Sequence, residues 1–194
     1  SLLQFLAPFY ILNFDDNDAE QFGKIRSELK KLGVELQPID TRVGVVGIVR
    51  GRKDAPGKVI ALRADMDALP IQEEAAVPDA SEVAGVMHAC GHDAHTAMLL
   101  GAAKILTSMR DRFTGVVKLI FQPAEETLGG SELMIRLGCL ENPTVDVILG
   151  QHGIAEFATG DIAFREGPSM ASSDTFSVTV RGVGGHGAYP HNSG

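Results

Sequence analysis

A chain of 194 residues with 44% hydrophobic content has enough apolar material to bury a core and enough length for one or two domains. Its formal charge of -8 excludes nucleic acid as the main partner, because no stripe of Lys or Arg offsets the acidic balance. Two cysteines, Cys90 and Cys139, are too few for a disulfide framework and point to a reducing, cytoplasmic setting.

The opening stretch, 1–14, is apolar but has no basic start, contains Pro8 and is too short to span a bilayer, so it reads as core or terminus and no membrane partner is expected. Phe22, Ile25, Leu29 and Leu32 recur at helical spacing and predict a helix over 18–32 that Gly33 stops. Two β-rich runs, 43–49 and 58–63, are separated by the turn-forming Asp54-Ala55-Pro56-Gly57, and the second runs into Asp65 and Asp67. A helix is expected over 93–110 with Asp93 as its N-cap, and Ala97, Gly101 and Ala102 are small enough to let it lie close on a sheet. An apolar strand over 116–121, interrupted only by Lys118, runs into Glu125 and Glu126; a helix over 131–137 follows Gly129-Gly130; a strand over 145–149 runs into His152. This order predicts an α/β fold, a mostly parallel sheet flanked by helices, and such sheets gather their sites at the carboxyl ends of strands. Past His152, 160–165 and 174–181 read as strands, the latter alternating Phe176, Val178 and Val180 against Ser177, Thr179 and Arg181. They mark the start of a second domain, which closes in a glycine-rich loop holding His186 and His191.

The chemistry concentrates in 87–95, where His88, Cys90, His92, Asp93 and His95 stand within nine residues. A thiolate beside imidazoles suits a borderline cation such as zinc, and carboxylates admit manganese, so the mixture indicates a transition metal rather than calcium or magnesium. Glu125-Glu126 strengthens the reading. Adjacent carboxylates repel unless a cation or proton holds them together, and a hydrolytic metal site needs one carboxylate to ligate and another to move a proton. His88 and His95 divide evenly between ligand and supporting imidazole, and Asp65 and Asp67 between turn acids and carboxylates that orient a ligating histidine. His152 alone reads as a core histidine. A thiol nucleophile at Cys90, activated by His92 or His95 near a helix N-terminus, is an alternative that leaves Glu125 and Glu126 without a role.

The runs 61–70, 88–95, Phe121-Gln122-Pro123-Ala124-Glu125-Glu126 and Gly184-Gly185-His186-Gly187-Ala188, in that order, resemble the aminoacylase-type metal-dependent amidohydrolases. That family includes hydrolases of hippurate, of N-acyl amino acids and of auxin-amino acid conjugates. The resemblance implies a zinc-peptidase-like catalytic domain over 1–165 and the beginning of an inserted α+β lid and dimerisation domain over 166–194. It implies two divalent ions, Mn or Zn, on Cys90, His92, Glu126 and His152, with Glu125 as general base and His186 reaching the substrate carbonyl from the lid. The partners it implies are a small N-acyl amino acid or amino acid conjugate and a second copy of the chain. The family pattern also includes a further histidine ligand toward the end of a longer chain, so the 194 residues are expected to be a fragment, inactive alone, with a truncated non-catalytic metal-binding relative as the alternative.

Overall fold

The computed structural model describes residues 16–40, 43–52, 57–127, 129–172, 176–179 and 181–192, and the chain divides into two compact units, Ser1–Ile154 and Ala155–Gly194. The apolar opening 1–14, most of the 54–57 turn and part of the 174–181 run lie outside the described residues.

In the first unit the described elements are helix α1 (Asp16–Lys31), strands β1 (Glu35–Leu36), β2 (Val45–Arg50) and β3 (Val59–Asp65), helix α2 (His92–Ser108), strand β4 (Val116–Gln122), helix α3 (Gly130–Arg136) and strand β5 (Val147–Gly150). The strands form one sheet in the order β1-β2-β4-β3-β5. The sheet is mixed. β3 lies parallel to both β4 and β5, whereas β2 runs antiparallel to β4 and to the short β1, a strand too brief to leave a sequence signal.

Alternation along the strands sends side chains to two separate cores. Val45 and Val49 of β2, Leu119 and Phe121 of β4 and Ala64 of β3 pack with Phe22, Ile25 and Leu29 of α1 and Leu99 and Ala103 of α2. Val46, Ala61 and Ile120 face the other way and pack with Met134 of α3 and Cys139. Lys118, the exception in an apolar run, is fully buried on that second face, where its Nζ donates to the carbonyls of Glu141 at 2.6 Å and Pro143 at 3.3 Å. Burial pushes the Lys118 amine below its ordinary pKa.

Two expectations are corrected. α2 begins at His92 with Gly91 as its N-cap and no side-chain capping bond, so Asp93 is not the cap but an acid in the first turn, where it meets the positive end of the helix dipole. In the second unit, 160–165 and 176–179 form no ladder among the described residues. Ile162, Phe164, Phe176 and Val178 are at least three-quarters exposed there, and alternation yields a strand only when a neighbouring strand covers one face. That unit holds a 3-10 turn, Pro190–Asn192, and a cluster in which the Tyr189 ring meets those of His186 at 5.6 Å and His191 at 6.1 Å.

Candidate metal centre

The carboxyl ends of β3, β4 and β5 and the N-terminus of α2 bring together residues that the sequence separates by up to 87 positions, from Asp65 to His152. α2 buries one stripe, His92, His95, Leu99 and Ala103, so the two histidines are the first members of the same inward face that the apolar residues continue. Gly91 lies between Cys90 and His92 at φ 77, a left-handed conformation that an L side chain resists. That turn aims the thiol and the first imidazole of the helix at one place.

Asp67, just past β3, ties two elements to each other. Its Oδ1 lies 3.3 Å from His92 Nδ1 and its Oδ2 accepts the backbone N–H of Glu126 at 3.0 Å. The imidazole therefore donates through Nδ1 and leaves the lone pair of Nε2 free. That Nε2 is buried without a hydrogen-bond partner, and so is Glu126 Oε1, 3.9 Å away. Two acceptors facing each other in the interior repel unless a cation or a proton lies between them.

Beyond β5, His152 Nδ1 donates to the carbonyl of Gly153 at 2.7 Å, which turns the Nε2 lone pair toward Cys90 Sγ at 3.3 Å. The Glu125-Glu126 loop is shaped by a close approach. A Cβ on Gly130, at the start of α3, would lie 1.7 Å from the Pro123 carbonyl oxygen, so only glycine lets the helix begin against this turn. Ala124, buried just before Glu125, takes a left-handed φ of 55.

Among the described residues three sets of ligand atoms result, each set lying within 4.8 Å: Cys90, His92 and His152; His92, Glu125 and Glu126; Asp65, His92 and His95. The first two share His92 and contain every metal ligand and the base expected from sequence. Their donors are a sulfur, two imidazoles and two carboxylates, the mixture a borderline divalent cation takes. In the third, Asp65 and His95 are already committed to other partners. Asp65 Oδ1 is 2.6 Å from His95 Nδ1, Asp65 Oδ2 accepts from Arg63 at 2.7 Å, and His95 Nε2 accepts the N–H of Gly153 at 2.9 Å. Burial alone would raise the Asp65 pKa, but the His95 hydrogen bond and the Arg63 charge outweigh it and hold the carboxyl below its ordinary range. Arg63 and Gln122, joined at 2.8 Å, were not singled out by sequence, since an Arg and a Gln at strand ends carry no pattern of their own.

Burial, reinforced by hydrogen bonding to Glu126 and by the charges of Glu126, Glu125 and Asp65, pushes the Cys90 thiol up. A thiol nucleophile needs the reverse. His186 lies in the second unit, where its Nδ1 accepts the N–H of Ala188 at 3.1 Å.

The family model of peptidase family M20/M25/M40 covers residues 61–192. Thermostable carboxypeptidase 2 of Saccharolobus solfataricus is 48% identical over 87% of this chain and 43% of its own length. The N-acyl-L-amino acid amidohydrolase of Geobacillus stearothermophilus is 44% identical over 94% of this chain and 48% of its own. A crystal structure from Bacillus subtilis, described as a dinuclear metal-binding peptidase of the M20 family, superposes with a TM-score of 0.67 at 43% identity, over 72% of this chain and 38% of that one. This chain thus spans less than half the length of the curated relatives it matches. With a family model matched over 61–192, a span that includes the strand ends where the donor sets converge, the chain belongs to peptidase family M20/M25/M40.

Proposed function

We propose that the protein is a metal-dependent amidohydrolase that cleaves the amide bond of N-acyl amino acids or related small amino acid conjugates. The observation that carries this is the pair of unpartnered buried acceptors, His92 Nε2 and Glu126 Oε1, between the thiol-imidazole pair and the tandem carboxylates. Cys90, His92, Glu126 and His152 would hold two divalent ions, manganese or zinc, and such ions supply the Lewis acidity that polarises a carbonyl and acidifies water. A dinuclear centre in the Bacillus subtilis structure supports this count.

Glu125 is the general base. It stands beside Glu126 in the donor set; with Glu126 as the ligand, Glu125 takes the proton from the attacking water and returns it to the leaving nitrogen. His186 is the electrophile. Because Ala188 donates to its Nδ1, the neutral ring carries its proton on Nε2, the form that donates to an oxyanion and so favours the transition state over the substrate. In this reading residues 1–165 belong to the catalytic domain and 166–194 begin the lid, through which two copies of the chain associate. The free thiols Cys90 and Cys139 are consistent with a reducing, cytoplasmic location, and among the described residues no helix is long and apolar enough to cross a membrane.

The test is Glu125→Gln in the full chain, with metal content and turnover on a panel of N-acyl amino acids and dipeptides measured together. Metal retention with turnover lowered about 10²- to 10⁴-fold is expected. Normal turnover with normal metal content would reject Glu125 as the base. Activity that survives a chelator would instead favour a Cys90 thiol mechanism, for which the 3.3 Å contact with His152 is the supporting geometry.

A further inference from the structure

His95 is fully buried at the centre of the donor cluster, yet both of its ring nitrogens are already committed. The N–H of Gly153 points at Nε2, so Nε2 bears no proton, and the ring's one proton sits on Nδ1 against Asp65 Oδ1. Asp65 is itself held, with Oδ2 on Arg63 and its carbonyl accepting from Thr96 Oγ1 at 3.1 Å. The sequence of contacts therefore runs from Gln122 through Arg63, Asp65 and His95 to the backbone of Gly153, the residue after His152. The His95 ring also packs on both imidazoles of the Cys90 donor set, on His92 at 5.5 Å and edge-on to His152 at 5.0 Å.

Resting on the donor set proposed above, we propose that His95, locked by Asp65 as the Nδ1–H tautomer, is a positioning residue that pins the loop after β5 and so presents His152 to Cys90 and His92. Nothing else in the described hydrogen bonds reaches the Gly153 N–H. β5 ends at Gly150, so the chain that carries His152 has left the sheet ladder and needs an anchor of its own. Asp65 confers the direction: without it the ring is free to put its proton on Nε2, where it would face the Gly153 N–H donor to donor.

Two substitutions separate the two halves of the ring. His95→Gln keeps an acceptor near the Nε2 position and loses the donor to Asp65; His95→Asn keeps the donor and loses the acceptor. Zn²⁺ and Mn²⁺ binding to the full chain, measured by competition with a chromophoric chelator, should weaken about 10- to 100-fold in His95→Asn and less in His95→Gln. Nitrogen-detected histidine NMR of the unsubstituted protein gives a reading that needs no variant to fold, and it should show His95 with its proton on Nδ1. A proton on Nε2, or equal cation affinity in the wild type and His95→Asn, overturns the positioning role alone. A wild-type chain that binds neither cation overturns the metal centre, and this role with it.

Discussion

Asp146 shows how much one carboxylate can do at a strand start. Its Oδ2 accepts the N–H of Val59 at 2.8 Å while its own N–H donates to the Val59 carbonyl at 2.8 Å, so one residue sets the register of β5 on β3. The Val59 hydrogen bond holds the carboxyl below its ordinary value of 3.8, and the Lys58 charge helps. A depressed folded pKa means the charged form is favoured by folding. Its contribution is present above the unfolded value and disappears as pH falls through the lower folded one. Asp146→Asn should therefore be less stable than the wild type near neutrality, with the difference shrinking as pH drops below about 3.8. Denaturant melts across pH 2 to 7 check this; a difference independent of pH would refute the assignment. The same logic of local commitment explains why Asp65 and Asp67 could not be ranked from sequence. Both are aspartates at one strand end, and only their partners, His95 for one and His92 with Glu126 for the other, distinguish them.

At the scale of elements, the site depends on how α3 leaves β4. The Glu125-Glu126 loop is compressed between the strand end and the helix start, with Gly130 N–H donating to the Ala124 carbonyl at 3.3 Å. Gly130→Ala puts a methyl carbon into the Pro123 carbonyl, a clash with backbone that no side-chain rotation relieves. A loss of about 1–3 kcal/mol is expected, as for overpacked cores generally, together with weaker cation binding because Glu126 moves with the loop. Thermal denaturation and metal titration of the variant test both parts, and unchanged stability would show that the turn is looser than described. The strands themselves were legible: β3, β4 and β5 all appear within about two residues of their expected places because apolar runs bounded by turn residues are a strong local signal, even for β5, whose residues are exposed in this structure. The antiparallel entry of β2 was not, since pairing direction depends on connection geometry that no single strand encodes.

At the scale of the whole molecule, the candidate donors come from three separate segments, the entry into α2 (Cys90 and His92), the loop after β4 and the loop after β5. A cation shared among them would add to the contacts that already join these segments through Asp67, His95 and the Cys90-His152 pair. Bound ligand stabilises the folded state by mass action, about 4 kcal/mol at a thousand times its Kd, so chelation should lower Tm by on the order of 10 °C and added Zn²⁺ or Mn²⁺ should restore it. An identical Tm with and without chelator would mean that no cation spans these loops.

The residue types able to ligate, their order along the chain and the α/β character of the fold were legible in local sequence, and hydrophobic period decides where strands and helices form; His152 by itself read as a core histidine, and the ligand set came from the family resemblance. Tertiary structure alone decided which donors meet. Cys90 and His152 are 62 positions apart and Asp67 and Glu126 are 59, and pairing at such separation depends on sheet order and register, which are global properties. It also decided which ring nitrogen carries the proton in His92 and His95, because the carboxylates and the amide that direct it arrive from distant segments, whereas His152 is directed by the carbonyl of the next residue, Gly153.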